Sequence, residues 1–457
     1  MKRLSVRTPF DGTIVGEAPL TALSELTAIE AAAQRGAEAT RSLTRYERAS
    51  ILRKASVAFT EKREDLARTI ALEGGKPIRE ARAEVDRAAM TLLFSSEEAS
   101  RLSGEEIPMD AAPTGKSRMA MTIREPLGVI AAITPFNFPL NLCIHKIGPA
   151  IAAGNAVLHK PASATPLSAL KAREILLECG LPAEALQVLI GSGSELGAAL
   201  LQLSAVKMIT FTGSAAVGVG LLARAGLKRV TLELGNNSAV VILRDADIDA
   251  AVAACVAGTY AHSGQTCISV QRIFVEEAVE AAFTERFVSS ASKLKQGHPL
   301  EESTDLASLI DEREAERVSQ WIEQSQGETI LAPQRDGAKL GPALVRNPAP
   351  DSKLMREEAF GPVAAIQSVR DLDEAISRVN DSRFGLQTGI FTNDMQAAFT
   401  FARAAHCGGV LINDVSNFRV DQMPYGGVKE SGTGREGPRY AVEEMTELKL
   451  ISWRIDA

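Results

Sequence analysis

The chain reads as an α/β protein: two regions of parallel sheet and a small β flap. Three patterns predict this. From 127 to 235 short apolar runs alternate with helical stretches, and the same alternation returns from about 236 to 435. Two strand-like segments, "SRMAMTIREPLG" and "ELKLISWRIDA", stand far apart in the chain. Strands separated by helices of this length build a parallel sheet with right-handed crossovers, and such sheets bind ligands at the carboxyl ends of their strands.

The elements follow in order. From about 22 to 105 the pattern is helical: Leu26, Ile29, Ala33 and Ala37 fall near one face, and "YERASILRKASVAFTEKREDLARTIALEGG" continues until Gly74-Gly75 stops a helix. Met119, Met121 and Ile123 alternate with Ala120, Thr122 and Arg124, which is strand spacing. The first sheet is drawn from "GVIAAITPF", "NAVLHKP", "LQVLIG", "VKMITFTG" and "RVTLELG". The second takes "SAVVILR", "ISVQRIFV", "VAAIQSV", "GLQTGIFT" and "GGVLIND", with helices over 246–261, 277–292 and 371–380. The two outlying strands pair with each other, as a flap, or add to a second subunit.

Composition removes several classes. The chain has 457 residues, 45% of them hydrophobic, enough for two or three domains. The net charge of -7 is spread along it, with no stripe for nucleic acid. No apolar run reaches the roughly 18 residues of a membrane helix. The opening "MKRLSVRTPFDG" does not read as a secretory leader. Five cysteines at irregular spacing form no C-x-x-C pair and no zinc pattern, so no metal is expected, and a reducing cytoplasm fits.

Several stretches could carry chemistry. "HSGQTCISVQR" holds Cys267, a core filler or a nucleophile. "IGSGSELG" and "FTGSAAVG" each follow a strand and open a helix, where free N–H groups suit phosphate; glycine turns there are also simply good turns. Asn137 in "TPFNFP" is an oxyanion donor or a turn asparagine. Glu233 in "LELGNNSA" ends an apolar strand, either solvated at a sheet edge or held as a general base. In "REEAFGP", Glu357 and Glu358 could accept from ribose hydroxyls and Phe360 could support a flat ring; otherwise the stretch is a polar loop.

In combination, "TPFNFP", "GNAVLHKPASATPLSA", "FTGS", "LELG", "GQTC", "EEAFGP", "FGLQTGIFT" and "PYGGVKESGTGREG" resemble the aldehyde dehydrogenase superfamily over essentially the whole chain. The resemblance implies a Rossmann-like dinucleotide-binding domain over 1–107 and 127–235, a catalytic domain over 236–436, and oligomerisation strands over 108–126 and 437–457. It implies NAD(P)-dependent oxidation of an aldehyde to an acid by a homodimer or homotetramer. Cys267 is implied as nucleophile, Glu233 as base and Asn137 as oxyanion donor. Cofactor contacts are implied for Thr134, Pro135, Phe136, Lys160, Ser163, Gly193, Gly213, Ser214, Gly235, Glu358 and Phe360. Substrate contacts are implied for Phe138, Thr266, Ile268 and Arg419. An ordinary thiol is only a few per cent ionised at neutral pH, so some local stabilisation of the thiolate is expected, and nothing in the sequence supplies it.

Departures from the family pattern sharpen the reading. Asn236 stands where a second glycine is common, which sets an amide near the base; asparagine tolerates left-handed backbone angles. Ser163 replaces a glutamate common in NAD-preferring members; the missing carboxylate removes repulsion against a 2′-phosphate and makes NADP admissible, while NAD binding stays adequate and NAD is slightly favoured. His145 occupies the position where succinic semialdehyde members carry an arginine, which argues against that substrate. "RVD" ahead of "PYGG" resembles members acting on lactaldehyde, phosphonoacetaldehyde or sulfolactaldehyde, with Arg419 suited to an anion or else a surface residue paired with Asp421. A semialdehyde dehydrogenase and a CoA-acylating enzyme are the alternatives; Glu233 favours water as acyl acceptor.

Overall fold

A computed structural model describes residues 2–455. Helices Leu26–Ser42, Arg45–Glu61, Arg63–Gly74 and Ile78–Arg101 form the first layer. The second of these starts with a capping box, in which the Thr44 hydroxyl accepts from Glu47 N–H and the Glu47 carboxylate accepts from Thr44 N–H. The third ends at Gly75 in the left-handed conformation, φ +65°. The face with Ile51, Leu52, Phe59, Val85, Ala88 and Leu92 packs with helix Asn141–Ala153 in the largest core.

Six strands make the first sheet, in the order Gly432–Thr433, Arg229–Glu233, Val206–Thr212, Val129–Ile133, Ala156–Lys160, Leu186–Val188. All neighbours are parallel except the first pair. That antiparallel edge, Gly432 opposite Glu233, brings the "PYGGVKESGTGREG" segment onto the first sheet beside the candidate base.

The second sheet has seven strands, in the order Glu328–Leu331, Ala343–Arg346, Val363–Val369, Val270–Glu276, Ser238–Ile242, Gln387–Phe391, Gly409–Ile412. Only its outermost pair, 328–331 with 343–346, is antiparallel. Its central strands are buried on both faces. Ser238–Ile242 is mainly apolar, as such strands usually are, whereas Val270–Glu276 and Gln387–Phe391 carry Gln271, Arg272, Gln387 and Thr388 inside, each donating to a main-chain carbonyl.

Arg118–Pro126 pairs antiparallel with Thr446–Arg454, and Glu106–Ile107 adds a third strand. The flap therefore closes within one chain. The end of the chain is not strand throughout: Pro438–Glu444 is a helix, held by Gly437 ahead of it and by Ala441 and Val442 in the core. Among the described residues no helix is long and apolar enough to cross a membrane.

Candidate active site

Cys267 lies at the end of a tightly held loop. His262, Ser263 and Gly264 all adopt positive φ, at 49°, 55° and 74°. A Cβ at Gly264 would come within 2.1 Å of the Gly361 carbonyl oxygen, so only glycine allows the cysteine loop to touch the "AFGP" loop. Gln265 fixes the same loop from the other side. Its side chain donates to the His262 and Ser308 carbonyls and accepts from Ile310 N–H. The Gln265 carbonyl accepts from Asn137 Nδ2 at 2.8 Å.

The thiol is half-buried and stands in the wall of a cavity of about 520 Å³. Phe138, Thr266, Ile268 and Arg419 line the same cavity, with Arg87 and Tyr425. Cys267 Sγ lies 3.0 Å from Tyr425 Oη. Burial pushes the thiol up to about 12, against the hydrogen bond from Tyr425, which lowers it.

Another cysteine meets a histidine: Cys143 Sγ is 3.7 Å from His159 Nδ1. Both side chains are fully buried, and the cysteine belongs to the main core. Burial raises that thiol strongly and drops His159 to about 3, so the imidazole is a poor proton acceptor. The pair is packing.

Glu233 ends its strand in the interior, not at a solvated edge. It is 3% exposed, and neither carboxylate oxygen has a hydrogen-bond partner. Burial first, then the charge of Glu436, raises it well above the usual carboxylate range. Its neighbour Gly426 follows Tyr425 directly; a Cβ there would approach Glu233 Oε1 to 2.8 Å. Base and thiol thus flank the same Tyr425-Gly426 turn.

Asn236 departs from expectation twice. It does not take a positive φ, and its amide turns away from the base to Ser238 Oγ at 2.6 Å and the Gln387 carbonyl. Arg419 is not a surface residue paired with Asp421. It is buried, donates to Glu436 Oε2 at 3.0 Å, and lies 3.6 Å above the Tyr425 ring. Asp421 instead accepts from Arg87 at 2.8 and 3.2 Å and from Asn141 Nδ2, and meets His145 Nε2 at 2.8 Å.

These features have a family precedent. The sequence model of the aldehyde dehydrogenase family matches residues 1–451. The chain belongs to the aldehyde dehydrogenase family. It is 49% identical to a 3-sulfolactaldehyde dehydrogenase of Priestia aryabhattai over 409 residues, covering 89% of this chain and 86% of that one. It is 43% identical to aspartate-semialdehyde dehydrogenase 1 of Pseudomonas canavaninivorans, covering 98% and 96%. It superposes on glyceraldehyde-3-phosphate dehydrogenase of Methanocaldococcus jannaschii, solved complexed with NADP, with TM-score 0.95, 37% identity and 99% coverage of both chains.

NAD or NADP fits the family, and parallel α/β sheets take ligands at the carboxyl ends of their strands, where the first sheet carries the following groups. Ser214 N-caps helix Ala215–Leu222 without using its hydroxyl, and the nearby Thr212 Oγ1 is buried without a partner. Lys160 Nζ faces the start of helix Gly193–Gln202; a Cβ at Gly193 would sit 3.7 Å from it. Ser163 Oγ donates to the Gly191 carbonyl at 2.7 Å and ties the two loops together. The Gly213 N–H donates to the Glu233 carbonyl, so the candidate phosphate loop and the candidate base lie at the ends of neighbouring strands. Thr134 hydrogen-bonds His159 and faces inward, whereas Phe136 meets Phe360 edge-on at 5.8 Å. Glu358 accepts from Asn236 N–H at 3.0 Å and closes on Gly235, where a Cβ would meet it at 2.5 Å. Burial pushes Glu358 up to about 7. Gln271 holds this loop by accepting from Ala359 N–H and donating to the Glu357 carbonyl.

Sequence reading missed Tyr425, Arg87, Lys146 and Glu436. Lys146 Nζ donates to Glu436 Oε1 at 2.8 Å, both side chains buried. A lysine and a glutamate 290 positions apart leave no local signal of that pairing.

Proposed function

We propose that the chain oxidises a small polar or anionic aldehyde to its carboxylic acid, with NAD or NADP as hydride acceptor and water as acyl acceptor. The position of Cys267 carries this reading: its sulfur opens onto a cavity with arginines in the wall. As thiolate, it attacks the aldehyde carbon, and the carbonyl electrons move to oxygen. The Asn137 amide and the Cys267 main-chain N–H are the donors for that oxyanion; Asn137 keeps one amide hydrogen after its bond to Gln265. The nicotinamide ring, when bound, supplies the acceptor for the hydride that leaves the tetrahedral carbon. Glu233 takes a proton from water, the water oxygen attacks the resulting thioester, and the carbon–sulfur bond breaks to release the acid.

Arg87 is the residue for the anionic end of the substrate. Its Nε and Nη2 bond Asp421, which leaves Nη1 for a ligand, and its side chain is 30% exposed at the cavity wall. The sulfolactaldehyde relative supports an anionic substrate. A semialdehyde is the second reading, supported by the aspartate-semialdehyde relative, and Arg87 suits its carboxylate equally. Arg87→Ala should raise KM about 10- to 100-fold for aldehydes carrying sulfonate, phosphate or carboxylate, the size of a lost charge-assisted hydrogen bond. Neutral aldehydes should change far less. Equal effects on both would remove Arg87 from substrate recognition.

Residues 1–107 with 127–235 serve as the dinucleotide-binding domain and 236–436 as the catalytic domain. The flap is the assembly surface of a homodimer or homotetramer in the cytoplasm; exposed Met119, Met121, Leu448, Leu450 and Trp453 on its strands support burial against another copy.

A further inference from the structure

The thiol needs a partner that favours its ionised form. Charged groups facing it work in both directions: Glu358 and Glu233 oppose the thiolate, and Arg419 favours it. The hydrogen bond from Tyr425 is the largest favourable contribution. We infer that Tyr425 is a further catalytic residue, whose phenol O–H donates to Cys267 Sγ and stabilises the thiolate. This inference rests on the reading of Cys267 as nucleophile.

The phenol is built for donation. Tyr425 is buried, and burial holds its hydroxyl well above the ordinary range, so it keeps its proton. Main-chain bonds pin it in place: Tyr425 N–H donates to the Glu436 carbonyl at 3.1 Å, and Glu436 N–H returns to the Tyr425 carbonyl at 2.7 Å. The Arg419 guanidinium lies 3.6 Å from the ring centroid. That cation draws density from the ring and makes the O–H a stronger donor. Glu436 orients Arg419, and Lys146 orients Glu436, so one buried chain of contacts ends at the sulfur. When the thiol proton leaves to water in the cavity, sulfur becomes the better acceptor and the O–H bond strengthens.

Tyr425→Phe keeps the ring and its stacking on Arg419 and removes only the donor. The readout is the rate of iodoacetamide alkylation of the Cys267 peptide against pH, followed by mass spectrometry so that Cys179 and Cys407 do not contribute. Its midpoint should move up by about one pH unit, with a roughly tenfold slower reaction at pH 7 and recovery at high pH. The acid limb of kcat/KM should move with it. A 3,5-difluorotyrosine at position 425, a stronger acid and donor, should move the midpoint down. An unmoved or lowered midpoint in Tyr425→Phe, or an unmoved or raised one with the fluorinated residue, overturns the inference. Because alkylation needs no turnover, it is separable from the mechanism. Full oxidation by Cys267→Ala would instead remove the nucleophile reading.

Discussion

Glu233 and Glu436 are both buried carboxylates, and each bears on the other's charge, yet they titrate in opposite directions. Glu436 accepts from Lys146 at 2.8 Å and Arg419 at 3.0 Å; burial opposes its ionisation, but those two cations hold it well below the usual range. Glu233 accepts from nothing, and burial together with the Glu436 charge raises it well above the usual carboxylate range. The difference teaches which one works. A carboxylate with two cationic partners is a fixed charge that orients its neighbours. One with orphaned buried oxygens retains proton affinity, which a general base requires.

Removing the working member should have the largest effect. Glu233→Gln should slow release of the acid by about 10²- to 10⁴-fold, the usual contribution of a positioned base, with the hydride burst intact in stopped-flow absorbance. In the unsubstituted enzyme the sign of the pH dependence follows from the raised carboxyl: its ionised fraction grows over a pH range above that of an ordinary carboxylate, so acyl release should accelerate as pH rises through that range.

Breaking the fixed member should cost stability and retune the base. Glu436→Gln leaves Lys146 and Arg419 without their buried counter-charge, which should cost about 3–5 kcal/mol in denaturant unfolding. Because Glu436 ionises more readily in the folded chain, its contribution is present above its ordinary value of 4.5 and is lost only as pH falls through its depressed folded value. With that negative charge gone, Glu233 faces two cations unopposed, so the pH profile for acyl release should move downward. An upward move would mean that Glu436 does not repel the base.

A smaller effect belongs to Glu358, a half-buried carboxylate, with a single main-chain donor and a value of about 7. Between pH 6 and pH 8 it passes from neutral to ionised, and the ionised form accepts more strongly from ribose hydroxyls. KM for the cofactor should therefore fall about three- to tenfold across that window. Glu358→Gln should flatten the dependence.

The sequence made much of this legible, for a physical reason. Short, mostly apolar runs spaced by helical stretches let the two sheets be read directly, even where polar side chains such as Gln271 and Arg272 lie inside a strand, and glycine loops at their ends marked where a backbone closes on something. Cys267, Glu233 and Asn137 were each open to a packing, edge or turn reading when taken alone, and became site candidates through the ordered set of motifs that resembles the family. What stayed hidden was pairing across distance. Arg87 meets Asp421 across 334 positions and Tyr425 meets Cys267 across 158, with no periodicity to announce either. Arg419 stayed open between an anion contact and a surface residue beside Asp421 because its partner, Glu436, reaches it only once the glycine-rich segment folds back onto the first sheet. Asn236 raised a concern about the base because the sequence does not give the rotamer that sends its amide to Ser238.

The most direct test of the whole account is peptide mass spectrometry of Glu233→Gln quenched after mixing with aldehyde and NAD(P). An acyl group added to the Cys267 peptide, absent when the cofactor is withheld, is the predicted result. Slow turnover with that peptide unmodified, or the acyl group on another cysteine, would contradict it.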